Sequence, residues 1–227
     1  LSNVPDNYRL ITIEEGSREF DLVKRDENGN ILNSVVHLLT RPNENESLDI
    51  NQDFLLERVL RKHPNVIGVG EIRAAAEAMS VAEASRTGHT CITTIHSNSA
   101  ASSYRRMMTL VKRQYDMADA MLMQIMVEAF PIIIYTKQLE DGTRKIMEIL
   151  EGEEYTDHLI YRSLYRYDVQ DTRRRANSSE VKIIGRHQKV GQMSDALVKR
   201  FLDNGLSRRE VSRFLKKEDE EPCNGSV

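Results

Sequence analysis

The sequence predicts an α/β fold in which a largely parallel β-sheet carries helices on both faces, with a C-terminal β-hairpin and a small helical appendage. Short apolar runs alternate with segments of helical periodicity, and the connections between them are short. This alternation is typical of βαβ units and therefore of a parallel sheet. The chain has 227 residues, of which 40% are hydrophobic, so it can bury one full core and a small addition.

The first elements are two strands and a helix. YRLITIEE (8–15) has the apolar run of a strand that ends in acidic residues, and NILNSVVHLLTRP (30–42) is a second extended stretch after the turn signal DENGN. A helix is predicted over 53–63, because its apolar residues share one face and Pro64 ends it.

The next elements continue this alternation. NVIGVGEIR (65–73) is predicted as a short buried strand, and an alanine-rich helix over 74–86 ends at Gly88, which suits a left-handed C-terminal cap. A further strand is predicted from Cys91 to Ile95. Two helical stripes follow, made of Tyr104, Met107, Met108 and Val111 and then of Met121, Leu122, Ile125 and Met126.

The C-terminal part departs from the alternation. Residues 131–150 are predicted as an antiparallel hairpin that turns at Asp141–Gly142. Ser207 and Glu210 have the spacing of a capping box at the start of a short helix. The expected organisation is a sheet domain over 1–170, a polar linker over 171–192, a helical hairpin over 193–217 and a disordered tail over 218–227.

Composition and charge argue against several classes of protein. A net charge of −3 provides no basic field, so direct nucleic-acid binding is not expected. Cys91 and Cys223 lie far apart and form no paired motif, which favours a reducing compartment. The most apolar window, 117–135, is interrupted by acidic residues and a proline, so no transmembrane segment is expected. With no signal peptide at the start, the sequence indicates a cytoplasmic protein.

Two histidines bracket the strand in TGHTCITTIHSNSA (87–100). His89 and His96 are seven positions apart, which at about 3.3 Å per residue separates them by roughly 20 Å. One metal ion therefore cannot bind both. His96 leaves the strand at its carboxyl end, where open parallel sheets bind ligands, so it is the stronger active-site candidate. A surface role for His89 stays open.

Acidic residues follow two other strands. Glu71 and Arg73 emerge after the buried run VIGV, and Glu14 and Glu15 end the first strand. A carboxylate at such a position can hold a magnesium-bound water or polarise an attacking one, and an arginine can neutralise phosphate charge. Taken alone, this segment fits slightly better a strand followed by a helix whose first turn carries an ordinary acidic residue. Together with His96, these strand ends predict a metal–nucleotide pocket.

Three motifs occur in an order that resembles a known family. ITIEE…REF, LRKHPNVIGVGEIR and TGHTCITTIHSNSA…YRRM are similar to the acidic box, the Walker B box and the histidine box of the secretion ATPases. That superfamily serves type II and type IV secretion, pilus assembly and conjugative transfer. The resemblance covers roughly residues 1–150 and implies a RecA-like P-loop NTPase core. TRP at 40–42 and EDGTRK in the hairpin resemble most the branch serving tight-adherence pili and type IV or conjugative secretion.

The resemblance implies catalytic roles for four residues. Glu71 corresponds to the Walker B glutamate, which assists the attacking water or the magnesium shell, and Glu14 and Glu15 correspond to the acidic-box pair. His96 would lie near the γ-phosphate of ATP. ATP and Mg²⁺ are the implied ligands, with Glu71 and Glu14 holding the metal indirectly or through water.

The resemblance also implies nucleotide contacts and partners. Arg73, Arg41 and His89 would contribute to nucleotide binding. The family typically forms cytoplasmic homo-hexameric rings that work with secretion or pilus platform proteins of the inner membrane, which leaves open a peripheral position at the inner face of the cell membrane.

Two departures from the family pattern qualify this expectation. The acidic box usually has glutamate–aspartate, whereas this chain has Glu14–Glu15. The sequence also has no phosphate-binding loop of the form G-x-x-x-x-G-K-[ST]. The chain is therefore expected to be the C-terminal part of a longer ATPase, with weak or no ATP turnover of its own. A non-catalytic interaction module of a secretion complex is the alternative. A stand-alone metal hydrolase is a third, which the separation of the histidines disfavours.

Overall fold

The computed structural model describes residues 1–155, 158–174 and 180–215. Two compact units divide the chain: the first contains Leu1–Ser97 and Ser103–Phe130, and the second contains Asn98–Ser102 and the residues from Pro131 onward. The boundary at residue 130 differs from the one predicted at residue 170. The predicted tail, 218–227, lies outside the described residues.

The first unit is built on a four-stranded, entirely parallel sheet. Its strands are β1 (Arg9–Glu14), β2 (Ser34–Leu39), β3 (Val66–Val69) and β4 (Thr90–Thr93), in the spatial order β2-β1-β3-β4. The two central strands, β1 and β3, are buried along almost their whole length. A continuously apolar strand is what a parallel sheet covered by helices requires, so the predicted α/β architecture is confirmed.

The helices begin and end close to the predicted positions. They are α1 (Gln52–Val59), α2 (Ala75–Arg86), α3 (Ala100–Val111) and α4 (Asp119–Ala129). A 3-10 turn, Leu60–Lys62, extends α1 up to Pro64. Gly88 has a φ of 99° after α2, which is the left-handed conformation expected of a glycine at this position.

The predicted helical stripes form much of the core of the first unit. Tyr104, Met107 and Val111 of α3 are at most 2% exposed, and the Tyr104 hydroxyl donates to the carbonyl of Phe130. In α4, Leu122 and Met126 are buried, but Met121 is 54% exposed. Met121 was wrongly included in the stripe, because it lies in the first turn of α4 on the side away from the core.

The second unit contains a four-stranded antiparallel sheet followed by two short helices. Its elements are β5 (Ile132–Gln138), β6 (Arg144–Tyr155), β7 (His158–Arg174), β8 (Val181–Lys189), α5 (Asp195–Asp203) and α6 (Arg208–Leu215). The hairpin predicted over 131–150 is present, and Gly142 in its turn has a φ of 77°. The capping box also forms, because Glu210 accepts from the Ser207 amide and the Ser207 hydroxyl accepts from the Glu210 amide.

The predicted linker over 171–192 is wrong. Arg173 and Arg174 end β7, and residues from Val181 to Lys189 form β8, which pairs antiparallel with β7. Residues 175–179 lie outside the described residues. The polar residues at 171–174 were misleading because they lie on exposed positions of the sheet. Arg174 forms an ion pair with Glu140 at the end of the first hairpin. No helix in the described part of the chain is long and apolar enough to cross a membrane.

Candidate active site

The carboxyl ends of β1, β3 and β4 are joined by main-chain hydrogen bonds. Ile13 and Val69 are partners in the parallel ladder, and the amide of Gly70 donates to the carbonyl of Ile13 over 2.8 Å. Ile72 and Thr94 continue this connection to β4, since the Ile72 amide donates to the Thr94 carbonyl over 2.9 Å. The residues that follow the three strands therefore lie side by side, as expected for this edge of a parallel sheet.

Glu15, Glu71 and Arg73 form one ion-pair cluster at this edge. The Arg73 guanidinium donates from Nε to Glu71 Oε2 over 2.8 Å and from Nη1 to Glu15 Oε2 over 2.6 Å. The hydrogen bond to Glu71, together with the negative charges of Glu71 and Glu15, raises the pKa of the Arg73 guanidinium. Glu71 is 19% exposed, whereas Arg73 and Glu15 are about 60% exposed. Glu71 is therefore the sheltered carboxylate of the cluster.

His96 completes the cluster, and His89 does not belong to it. His96 Nε2 lies 3.3 Å from Glu71 Oε1, and its side chain is 92% exposed, so it can reach a ligand above the sheet edge. His89 lies just before β4, at the other end of the strand. Its Nδ1 is buried and has no hydrogen-bond partner among the described residues. The structure thus separates the two histidines in the way that the strand geometry predicts.

Glu14 is placed very differently from Glu15. Glu14 is 2% exposed, and its Oε2 accepts from the amides of Glu19 and Phe20 over 2.5 and 2.8 Å. Its Oε1 accepts from the Thr12 hydroxyl over 3.1 Å and lies 3.4 Å from His37 Nδ1. The structure therefore does not bring Glu14 into the exposed cluster with the other predicted residues.

Sequence reasoning missed His37 and Thr12 as members of this region. They are direct partners in the β1–β2 ladder, and the Thr12 hydroxyl lies 2.7 Å from His37 Nδ1. The available signal was a single histidine within the apolar run SVVHLL of the second strand. Because ladder register is a long-range property, the sequence did not identify its partner.

The pKa of the Glu14 carboxyl is lowered by its hydrogen bonds. Burial raises this pKa, but the amides of Phe20 and Glu19, the Thr12 hydroxyl and the charge of His37 together lower it below its usual value. A carboxylate with a lowered folded-state pKa stabilises the fold above its unfolded-state pKa. That contribution is lost as the pH falls through the lowered folded-state pKa.

We therefore expect Glu14→Gln to weaken the acid dependence of stability. The free energy of unfolding of the wild-type chain should fall between pH 6 and pH 3 more steeply than that of the variant, as measured by urea denaturation. Glu57→Gln changes an exposed carboxylate on α1 and serves as the control. Equal slopes for the wild type and Glu14→Gln would contradict the assignment.

A cleft of about 350 Å³ lies next to the cluster. Its lining consists of Glu15, Gly16, Thr40, Pro42, Asp49, Ile50, Asn51, Gln52 and Glu77. Arg41, the remaining predicted residue, lies between two lining residues, and its main chain exchanges two hydrogen bonds with Ile50, over 2.8 and 3.1 Å. Arg41 is therefore fixed by its backbone at the rim of this cleft, with an exposed side chain.

Comparisons with known proteins give a consistent result. Residues 6–131, more than half of the chain, match the family model described as type II/IV secretion system protein. An uncharacterized protein of Methanocaldococcus jannaschii is 30% identical over 130 residues, which cover 56% of this chain and 46% of that protein. The type IV pilus assembly ATPase PilB of Pseudomonas aeruginosa is 35% identical over 78 residues, covering 34% of this chain and 13% of PilB.

A solved structure shares the fold. The VirB11 ATPase of the Brucella suis type IV secretion system aligns with a TM-score of 0.51 and 24% identity, over 65% of this chain and 42% of VirB11. The first unit is thus a RecA-like core of the kind found in secretion ATPases. In each of these three comparisons the chain spans less than half of the other protein's length.

Proposed function

Because the chain belongs to the type II/IV secretion system protein family, we propose that it supplies one wall of a magnesium–ATP site in an ATPase of secretion, pilus assembly or conjugative transfer. One observation carries this proposal. Glu71 follows a buried central strand and is held between Arg73 and His96, with Glu15 reaching the same arginine from the neighbouring strand. Carboxylates, an arginine and a histidine at one strand edge suit phosphoryl chemistry.

The residues of the cluster have distinct tasks in this proposal. Glu71 orients and polarises the water that attacks the terminal phosphate, since it is the sheltered carboxylate. Arg73 is already charged and exposed, so it can turn from Glu15 to neutralise phosphate oxygens. His96 extends furthest into solvent and contacts the same phosphate.

The donor set also fits a magnesium ion. Among the described residues, no group of three or more His, Cys, Asp or Glu side chains could hold a metal ion. Magnesium does not need such a group, because it keeps several waters and binds through one or two carboxylates and the substrate phosphates. Glu71 and Glu15 would hold it through water. When bound, the ion would neutralise phosphate charge.

The proposal extends to the assembly in which the protein works. A homo-hexameric ring acting with inner-membrane platform proteins follows from the resemblance of its motifs to those of secretion ATPases. The proposal also includes low turnover by the 227-residue chain alone, since the sequence has no G-x-x-x-x-G-K-[ST] loop to hold the phosphates.

The experiment that tests this proposal measures binding of a fluorescent ATP analogue with Mg²⁺. In the native gene product that contains this chain, Arg73→Ala should weaken binding about tenfold or more, because charge-assisted hydrogen bonds to phosphate are lost. Arg58→Ala removes an exposed arginine from α1 and should leave the affinity unchanged. Equal affinities for wild type and Arg73→Ala, or the absence of any Mg²⁺–ATP binding, would favour a non-catalytic assembly module instead.

A further inference from the structure

We propose that His37 is a positioning residue, which acts through Thr12 and Glu14 to hold the loop that carries Glu15. The loop consists of residues 15–20, directly after β1. This inference rests on the proposed function only in giving Glu15 a place in the ATP site. The positioning of the loop by His37 is inferred from hydrogen bonds within the first unit alone.

The Glu14 carboxylate closes the loop. Glu14 Oε2 accepts from the main-chain amides of Glu19 and Phe20, which lie five and six positions later in the chain. The chain reverses just after Glu15, where Gly16 has a φ of 71°, and the Gly16 amide donates to the Thr40 hydroxyl over 3.2 Å. The position of Glu15 therefore depends on the buried carboxylate that precedes it.

His37 fixes the other oxygen of that carboxylate. The Thr12 hydroxyl has one proton, and donating it to Glu14 Oε1 leaves the Thr12 oxygen as an acceptor. His37 Nδ1, 2.7 Å from that oxygen, then donates to it. The result is a directed chain of hydrogen bonds from His37 through Thr12 to Glu14. His37 Nε2 is buried and has no partner among the described residues, so only Nδ1 takes part in this chain.

The two glutamates of the acidic pair thus have separate tasks. Glu14 is buried, with both oxygens engaged by the protein, and it anchors the loop. Glu15 is about 60% exposed and reaches Arg73. Glu14 is the last residue of the buried strand β1, whereas Glu15 is the first residue of the loop after it, which explains how adjacent glutamates can differ so strongly. Of these two glutamates, only Glu15 is exposed enough to approach a ligand.

The experiment measures amide hydrogen exchange in two variants, His37→Asn and His37→Gln. Asparagine places a side-chain amide near the position of Nδ1, whereas glutamine places one near the position of Nε2. We expect His37→Gln to speed exchange of the Glu19 and Phe20 amides about five- to tenfold at neutral pH, in line with the loss of one hydrogen bond. His37→Asn should restore at least half of the lost protection.

The controls separate positioning from general destabilisation. The amides of β3, such as that of Ile67, should exchange at the same rate in both variants. Thr12→Val should reproduce the result of His37→Gln, and Thr12→Ser should resemble the wild type, which keeps the test informative if a His37 variant does not fold. Equal exchange rates of the Glu19 and Phe20 amides in the Asn and Gln variants would overturn the proposal. Exchange that becomes faster throughout the sheet as well as in the loop would also overturn it.

This measurement needs no nucleotide, so its outcome is independent of the proposed function. Local loss of protection in His37→Gln together with unchanged Mg²⁺–ATP binding in Arg73→Ala would support the positioning role and contradict the ATP site. Unchanged protection in His37→Gln together with weakened Mg²⁺–ATP binding in Arg73→Ala would support the ATP site and contradict the positioning role of His37.

Discussion

Glu71→Gln is expected to lower the rate of ATP hydrolysis by the native gene product about 100-fold or more, with little change in its affinity for Mg²⁺–ATP. Glutamine has nearly the same shape, and its single carbonyl oxygen can still accept from Arg73, while its amide nitrogen takes the place of the oxygen that faces His96. It cannot, however, accept a proton from water or polarise it as a carboxylate does, and such assistance is worth about 100- to 10,000-fold in rate. Steady-state phosphate release at saturating ATP measures the effect.

The control for this prediction is Glu83→Gln. Glu83 is an exposed carboxylate on α2 that forms an ion pair with Arg86, away from the cluster. Its replacement should leave turnover within about twofold of the wild type, as is usual for a surface substitution. If Glu71→Gln retained more than half of the wild-type rate, Glu71 would not be the residue that activates the water.

Ile67→Ala is expected to lower the free energy of unfolding by about 2–5 kcal/mol. Ile67 is 0% exposed and lies in β3, where it pairs with Ile11 on one side and with Cys91 on the other. Its truncation leaves a cavity in the middle of the sheet that supports Glu71, and a close-packed core closes such a cavity only partly. Urea denaturation followed by circular dichroism measures the loss.

Two variants calibrate the Ile67 result. Ile67→Val removes one methylene group and should cost about 0.5–1.5 kcal/mol. Ile31→Ala removes the same atoms as Ile67→Ala from a residue that is 60% exposed, and should stay within about 0.5 kcal/mol of the wild type. A loss for Ile67→Ala no larger than that for Ile31→Ala would show that β3 is not part of the core.

The first unit was largely predictable because its signals are local. Continuous apolar runs predicted β1 and β3, and the helical spacing of apolar residues predicted α2 and α3. The second unit was only partly predictable. The turn at Gly142 is a local signal, whereas β8 depends on pairing with β7, and its polar residues have no periodicity that distinguishes an exposed strand from a linker.

The same distinction applies to the candidate site. The strand ends predicted that Glu14, Glu15, Glu71, Arg73 and His96 lie together. The structure joins Glu15 and Glu71 through Arg73, and places His96 Nε2 3.3 Å from Glu71 Oε1. The burial of Glu14 was not predicted, since it depends on which way each side chain leaves the strand and on the amides of a loop. Glu14 is the last residue of the buried strand β1 and Glu15 is the first residue of the exposed loop, a boundary that the run ITIEE does not mark.

In the proposed function, the cluster of Glu15, Glu71, Arg73 and His96 receives the metal and phosphates of Mg²⁺–ATP. Paramagnetic broadening of amide NMR signals by Mn²⁺–ATP tests it most directly, because it detects even weak binding. The signals of Glu15, Glu71 and Arg73 should broaden first, while that of Gly88, which precedes β4 at the opposite end of the same sheet, should not broaden. Broadening that spares these three amides, or that is centred on another part of the chain, would contradict it.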